Sequence, residues 1–282
     1  MDGNGGWKAW LDVPASERAR REQALEPLAE NGLVVTSREL GRDGPWRIEI
    51  YGQGEKPALA GPWQWETLPD KDWVAENQRS FKPFAVGPFW VHPSHDRSEP
   101  PPGTIALRID AGLAFGTGTH ATTRGCLELL ATLDRSETTN AVDVGCGSGI
   151  LAIAMARLWR RPVLGGDNDP QAVAVAVENA ALNGVGELCR FFTSEGLQAP
   201  ALAAGAPYDL IAANILASPL IELSESFAAA LRPGGHALLS GLLAEQADMV
   251  LPVYSRHGFA LERDIDLETG GALWRTLLLR RS

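Results

Sequence analysis

The sequence predicts an α/β protein whose main domain is a mostly parallel sheet covered by helices, with a small α/β domain before it. From about residue 104 onward, short apolar runs alternate with longer helical patterns and turns. Such alternation is typical of a parallel sheet that is buried on both faces. Two strand-like runs around "ETGG" end the chain, and they predict a C-terminal hairpin with an antiparallel last strand.

Composition limits the classes of function. The chain has 282 residues, of which 45% are hydrophobic and 21% charged, as expected for a globular protein of one or two domains. It has no apolar run of membrane-spanning length and no signal peptide, so we expect a cytoplasmic protein with no membrane association. A net charge of -10 disfavours direct binding to nucleic acid and suits a basic protein partner.

Three cysteines, Cys126, Cys146 and Cys189, are widely spaced within apolar or glycine-rich runs. Their odd number and their spacing fit neither a disulfide framework nor a zinc site. We therefore expect reduced, buried thiols and no bound metal.

Residues 1–60 predict the small α/β domain, and the family resemblance given below implies that this domain recognises the substrate. "SERARREQALEPLAENG" has the apolar spacing of a helix and ends at Asn31–Gly32, a helix stop signal. "GLVVTSREL" and "WRIEIYG" are strand candidates, the second with a two-residue alternation. Seven of the nine tryptophans lie at or before position 90, and they form either a core or a protein-docking face. Prolines and glycines then indicate a linker region over residues 61–103.

The main domain is predicted over residues 104–282 and opens with the strand "TIALRID". Five further strands are predicted at "AVDVG", "PVLGGD", "CRFFT", "DLIAAN" and "HALLSG". The helices between them are predicted at "GILAIAMARLW", "PQAVAVAVENAALNG" and "PLIELSESFAAALRPGG". The closing hairpin pairs "FALERDIDL" with "ALWRTLLLRR".

The stretch "VDVGCGSGILAIA" places Gly145, Gly147 and Gly149 between a strand and a helix. Glycines at such a turn let a ligand approach the backbone. Ile150 replaces the last glycine of G-x-G-x-x-G, which argues against a nicotinamide-dependent dehydrogenase. No Lys-Ser/Thr pair follows, so the turn is not a P-loop. It suits a cofactor without a pyrophosphate, or it is a tight turn with no ligand.

The next strand ends in "LGGDNDP". Asp167 stands about 20 residues after the first glycine, where a carboxylate accepts hydrogen bonds from the two hydroxyls of a ribose. The alternative is a capping or solvated charge. Asp169 precedes Pro170, and this order predicts the N-cap and first residue of the following helix.

These motifs resemble the class I S-adenosylmethionine-dependent methyltransferases and, within them, the PrmA family of ribosomal protein L11 methyltransferases. The resemblance is strong from about residue 72 to residue 241 and weak before Pro57. Two departures are Ala121, where the family usually has proline, and Asn168 in the D-N-D-P run. The matching stretches include "GLAFGTGTHATTRGCLELL", "VDVGCGSGILAIAMA", "DNDPQAVAVAVENAALNGV" and "ANILASPLIEL".

The resemblance implies a Rossmann-like, seven-stranded methyltransferase sheet and S-adenosyl-L-methionine as cofactor. It implies that the loop before "TTRGCLELL" folds over the methionine end of the cofactor, with Thr123 either contacting it or serving as a first-turn helix residue. The resemblance also implies that Asn214, at the end of a strand, contacts both the cofactor and the acceptor; the alternative is that it caps the next turn. The cofactor-binding residues implied in this way are Phe115, Thr119, Thr123, Gly145, Gly147, Asp167 and Asn214.

The catalytic residues implied are Asn214 and His120, although His120 is as easily explained as a packed residue at the loop base. The expected enzyme is a protein N-methyltransferase acting on amino groups, lysine side chains or an α-amine, of a large-subunit ribosomal protein. We expect a monomer or weak oligomer. The alternatives are a related lysine methyltransferase for another protein, a small-molecule methyltransferase, and a cofactor-binding regulator without turnover.

Overall fold

The computed structural model describes residues 6–14, 16–18, 20–21, 25, 33–40, 44–67, 82–110, 121–134, 136, 138–269 and 271–282. The chain forms two compact units, Met1–Trp73 and Val74–Ser282. The division therefore lies after Trp73, whereas the sequence predicts boundaries at residues 60 and 103. The range predicted as linker contains strands of both units, because its aromatic side chains pack into each unit's core.

The first unit is an antiparallel four-stranded sheet of order β2-β3-β1-β4. Residues 16–18, 20–21 and 25 are helical, as the sequence predicts. Strands β2 and β3 are also predicted, whereas β1 and β4 are not. The strands are β1 (Gly6–Val13), β2 (Val34–Glu39), β3 (Trp46–Gln53) and β4 (Gln64–Thr67).

Four tryptophans build the core of the first unit. Trp7 is fully buried together with alternate apolar residues of β1 and β3, and Trp46, Trp63 and Trp65 pack against this cluster. Apolar residues recur at every second position of β1, so one face of the strand is buried. The core interpretation therefore holds for these four side chains.

The second unit begins with a three-stranded sheet whose order is β5-β6-β7. Phe89, Val91 and Leu107 are fully buried in the same apolar cluster as the helices of the main sheet. The small sheet is thus part of the main domain's core. Its strands are β5 (Phe84–Val86), β6 (Phe89–His92) and β7 (Ile105–Arg108), of which only β7 is predicted from the sequence.

The main sheet has seven strands in the order β10-β9-β8-β11-β12-β14-β13. Neighbours from β10 to β12 are parallel, and β14 is antiparallel to both β12 and β13. This confirms the predicted mostly parallel sheet with an antiparallel hairpin strand. The strands are β8 (Ala141–Val144), β9 (Val163–Asp167), β10 (Cys189–Thr193), β11 (Tyr208–Asn214), β12 (Leu231–Leu243), β13 (Phe259–Thr269) and β14 (Ala272–Arg281).

Helices cover both faces of this sheet. Strand β11 sends Leu210 and Ala212 into one apolar cluster and Ile211 and Ala213 into the other. Burial on both faces explains why the strands are continuous apolar runs. The helices are α1 (Ala121–Leu130), α2 (Ile150–Trp159), α3 (Pro170–Leu182), α4 (Pro200–Ala203), α5 (Ala217–Ala230) and α6 (Ala247–Arg256).

Three helices differ from the prediction, and the four-residue helix α4 is one that the sequence does not predict. Helix α5 ends at Ala230 and not at the glycine pair, because β12 begins at Leu231 and Gly234 has a positive φ of 76°. Helix α6 is not predicted, since it contains Pro252 and an internal proline normally breaks a helical pattern. In the described ranges, no helix combines the length and apolar character needed to cross a membrane.

Candidate functional site

The glycine turn between β8 and α2 is built from left-handed backbone. Gly145, Gly147 and Gly149 have φ values of 70°, 51° and 78°, which only glycine adopts at low cost. The amides of Gly145 and Cys146 both donate to the Gly166 carbonyl, at 2.8 and 3.0 Å. These bonds hold the turn against the end of β9.

Asp167 ends β9 and contacts this turn directly. Its Oδ2 accepts a hydrogen bond from the Gly147 amide at 2.8 Å, and its Oδ1 accepts one from the Asp169 amide at 3.0 Å. The carboxylate is half-buried, and each oxygen has a second lone pair for a ligand hydroxyl. Asp169 itself caps α3 by accepting from the Gln171 amide at 2.8 Å, with Pro170 as the first helical residue. The predicted N-cap is confirmed.

Asp143 is a buried carboxyl group below the turn, with 1% of its surface exposed. Its Oδ2 accepts a hydrogen bond from the Ala152 amide at 3.1 Å, whereas Oδ1 has no partner among the residues described. Burial, together with the nearby Asp167 charge, raises the pKa of Asp143 to about 7, although the hydrogen bond from the Ala152 amide lowers it. A cationic group would stabilise the ionised form.

The three cysteines are free and buried, in agreement with the sequence prediction. Burial raises the pKa of Cys126 and Cys189 to about 12 and that of Cys146 well above its usual value. All three thiols are therefore protonated and unreactive at neutral pH.

Asn214 ends β11 and meets the first turn of α1. Its Nδ2 donates a hydrogen bond to the Thr123 hydroxyl at 3.3 Å. Thr123 is 1% exposed, so it is a buried first-turn residue of α1. Because the amide nitrogen is directed to Thr123, the side-chain oxygen of Asn214 is the group left to accept a hydrogen bond.

Ile215 joins the Asn214 turn to the glycine turn. A Cβ atom built on Gly145 would lie closer than 3.0 Å to Ile215 Cγ2, and one built on Gly241 would overlap the Ile215 backbone. Gly241 also has a φ of 88°. The Ile215 amide donates to the Ser240 carbonyl at 3.1 Å. Two glycines thus make room for this close approach.

A buried polar cluster holds α1 on the sheet. Ser240 Oγ shares a 2.7 Å hydrogen bond with Thr276 Oγ1 and donates to the Thr122 carbonyl at 3.3 Å. Gly125 leaves room for Thr276, because a Cβ atom there would overlap its hydroxyl. The cluster anchors the helix that carries Thr123. The sequence gives no sign of these contacts beyond the small side chains themselves.

The structure brings five of the predicted site residues together. They lie at the carboxyl ends of β8, β9 and β11, where open α/β sheets bind ligands. Three contacts connect them: the Gly147–Asp167 hydrogen bond, the packing of Ile215 on Gly145, and the Asn214–Thr123 hydrogen bond. The other three predicted residues, Phe115, Thr119 and His120, lie outside the described residues.

Comparison with known proteins identifies the family. Residues 51–277 match the model of the family described as ribosomal protein L11 methyltransferase (PrmA). The chain belongs to the PrmA family. The match spans most of the chain, so the resemblance recognised in the motifs is confirmed, and the sheet described above is the fold of a class I methyltransferase.

Relatives in the PrmA family support this assignment. A ribosomal protein L11 methyltransferase of Brucella abortus (strain S19) is 45% identical over 258 residues, 88% of this chain and 90% of that protein. One from Rhizobium meliloti (strain 1021) is 46% identical over 215 residues, 76% of this chain and 71% of that protein. The crystal structure of a ribosomal protein L11 methylase from Lactobacillus delbrueckii subsp. bulgaricus has a TM-score of 0.58 at 30% identity, covering 69% of this chain and 95% of that one.

The contact of Ile215 with Gly241 predicts an unequal effect of two glycine substitutions. Gly241→Ala and Gly258→Ala both place alanine at a positive φ, 88° and 82°, but nothing lies within 4 Å of a Cβ at Gly258. Gly258→Ala should cost about 1–2 kcal/mol of backbone strain. Gly241→Ala should cost about 1–3 kcal/mol more from overpacking. Urea denaturation measures both, and equal losses would contradict the proposed close approach.

The burial of Asp143 predicts a pH-dependent stability. Its pKa is raised from 3.8 to about 7, so the folded state binds this proton more tightly than the unfolded state does. The free energy of unfolding therefore falls as pH rises between these two values. Asp143→Asn keeps an acceptor for the Ala152 amide and does not titrate. Denaturation of the ligand-free proteins gives the free energy of unfolding of the variant minus that of wild type. This difference should rise between the two pKa values and stay constant at higher pH. A difference that does not vary with pH would contradict the shift.

Proposed function

We propose that this chain is an S-adenosyl-L-methionine-dependent protein N-methyltransferase that methylates amino groups of ribosomal protein L11. Membership of the PrmA family and the names of its relatives support the substrate. The observation that carries the chemistry is the Asn214–Thr123 hydrogen bond, because it leaves an uncharged acceptor oxygen beside the glycine turn. We further propose a cytoplasmic enzyme that is a monomer or weak oligomer.

The residues around the glycine turn fit the cofactor. S-adenosyl-L-methionine carries a ribose with two hydroxyls, and its ammonium and sulfonium groups are cationic. We assign the ribose hydroxyls to Asp167, whose two oxygens already face the turn and the Asp169 amide. One buried oxygen of Asp143, which has no hydrogen-bond partner among the described residues, suits a positive charge nearby. Gly145 and Gly147 have no side chain, so the cofactor could approach the backbone closely at these positions.

When bound, the cofactor supplies a methyl group that its sulfonium activates for in-line displacement. Most of the catalysis then comes from positioning the acceptor amine in line with this methyl group. The acceptor amine must be neutral to present a lone pair. At pH 7 this costs about 4–5 kcal/mol for a lysine and about 1 kcal/mol for an α-amine. Leu216, two residues after Asn214, is 69% exposed, and a substrate that packs on this apolar side chain would have its amine partly desolvated, which favours the neutral form.

We propose that the Asn214 side-chain oxygen accepts an N–H of the amine and thereby aims its lone pair at the methyl group. Thr123 then acts by holding the Asn214 amide in this orientation. Asn214 is uncharged and is not a general base, so solvent takes the proton. Phe115, Thr119 and His120 stay proposed participants: the first two at the cofactor, and His120 at the acceptor channel or packed at the loop base.

Methyl transfer tests the proposed function directly. Purified chain is incubated with radiolabelled S-adenosyl-L-methionine and a bacterial lysate that lacks the endogenous activity, with purified L11 as a second sample. We expect one labelled protein that migrates with L11. Label on a different protein would support the related lysine methyltransferase, and label only in metabolites would contradict a protein substrate.

Substitution at Asn214 tests the acceptor role. Asn214→Ala should lower kcat about 10²–10³-fold, as for other oriented hydrogen-bonding groups, while the free energy of unfolding changes by about 1 kcal/mol or less. Steady-state kinetics with L11 and urea denaturation provide the two measurements. A wild-type rate in the folded variant would refute the role of Asn214.

A further inference from the structure

Two asparagines, Asn179 in α3 and Asn183 at its C-cap, hold the backbone at the end of β7. Asn183 accepts from the Arg108 amide at 2.8 Å and donates to the Arg108 carbonyl at 2.6 Å. Asn179 makes the same pair with Asp110, at 3.0 Å for each bond. Both side chains are buried, with 1% and 6% exposed for Asn179 and Asn183. Each side-chain amide therefore makes the pair of backbone hydrogen bonds that a neighbouring strand would otherwise make at that position.

The two asparagines differ in their remaining hydrogen bond. Asn183 Nδ2 donates to the Asn179 carbonyl at 2.8 Å, in the last turn of the helix that Asn183 caps. Asn179 Nδ2 instead donates to the Ser148 carbonyl at 2.9 Å. Ser148 lies in the glycine turn, between Gly147 and Gly149, and is fully buried. Asn179 thus connects three segments of the chain: α3, the segment that follows β7 and the glycine turn.

Asp110 is itself fixed from the other side. Its Oδ1 accepts a hydrogen bond from the Ser94 amide at 2.8 Å. The Asn179 side chain therefore joins the glycine turn to Asp110, which the segment after β6 also holds through Ser94. In the sequence, Asp110 directly precedes residues 111–120, which contain three of the predicted site residues.

We infer that Asn179 is a positioning residue for the cofactor, which acts through Ser148 by holding the glycine turn in its binding geometry. A turn with three left-handed glycines has many alternative conformations. Fixing one of its carbonyls in advance lowers the ordering cost of binding. This inference rests on the proposed function, because it takes the glycine turn as the S-adenosyl-L-methionine site.

The three backbone groups that Asn179 contacts explain why an asparagine is needed at this position. Asparagine alone supplies two N–H donors and one acceptor at this length, and Asn179 uses them on the Ser148 carbonyl, the Asp110 carbonyl and the Asp110 amide. Aspartate would place negative oxygens against both carbonyls. Alanine would leave all three backbone groups without this partner.

Asn183→Ala is the matched control for Asn179→Ala. Both variants remove a buried asparagine that pairs with one backbone position near β7, so both should lower the denaturation midpoint to a similar extent. Only Asn179→Ala also releases the glycine turn. If Asn179→Ala does not fold, Asn179→Ser replaces it, since serine keeps one polar group in the cavity.

Titration calorimetry with S-adenosyl-L-methionine measures the effect on the cofactor. We expect Asn179→Ala to raise Kd about tenfold, the size of one lost hydrogen bond. Asn183→Ala should leave Kd at the wild-type value. In steady-state kinetics, Asn179→Ala should raise KM for the cofactor and leave KM for the protein substrate unchanged. Equal Kd values for the two variants would overturn the inference.

Hydrogen exchange of the ligand-free protein separates this inference from the proposed function. Amides of residues 145–149 should exchange faster in Asn179→Ala than in Asn183→Ala, whether or not the cofactor binds. Failure of wild-type protein to bind S-adenosyl-L-methionine would refute the proposed cofactor. Unchanged exchange in the glycine turn of Asn179→Ala would refute the positioning role.

Discussion

The packing of Ile215 between two glycines is the constraint on which the candidate site depends. Its Cγ2 lies against Gly145 and its backbone against Gly241, at separations that no Cβ atom would permit. Because Ile215 directly follows Asn214, this contact brings the end of β11 to the glycine turn. A polar group at the end of one strand and a ligand-binding turn at the end of another are thereby held in one place.

Charge is distributed unevenly around this contact. Carboxyl groups, Asp143 and Asp167, lie on the side of the glycine turn, whereas the groups at the end of β11 are an amide, Asn214, and a hydroxyl, Thr123. The proposed reaction needs this arrangement. A cationic nucleoside is favoured near carboxylates, and an amine that must stay neutral is better oriented by an uncharged acceptor.

Local patterns predicted much of the fold because the physical causes are local. Strands buried on both faces are continuous apolar runs, and the cap at Asp169 depends only on its neighbours. Contacts between distant residues could not be predicted in this way. Ser240 and Thr122 are 118 positions apart, and Asn214 and Thr123 are 91 apart. Short strands such as β5 and β6 were missed because their burial comes from helices elsewhere in the chain.

We propose above all that the Asp167 carboxylate and the glycine turn together hold the sugar of S-adenosyl-L-methionine. The most direct measurement is calorimetric titration of that compound into Asp167→Asn and Asp169→Asn, which remove the same charge two residues apart. Asparagine caps a helix as well as aspartate does, so Asp169→Asn should bind like wild type. Loss of a charged hydrogen bond in Asp167→Asn should raise Kd roughly 10- to 100-fold. Equal affinity of the two variants, or no binding by wild-type protein, would contradict the account.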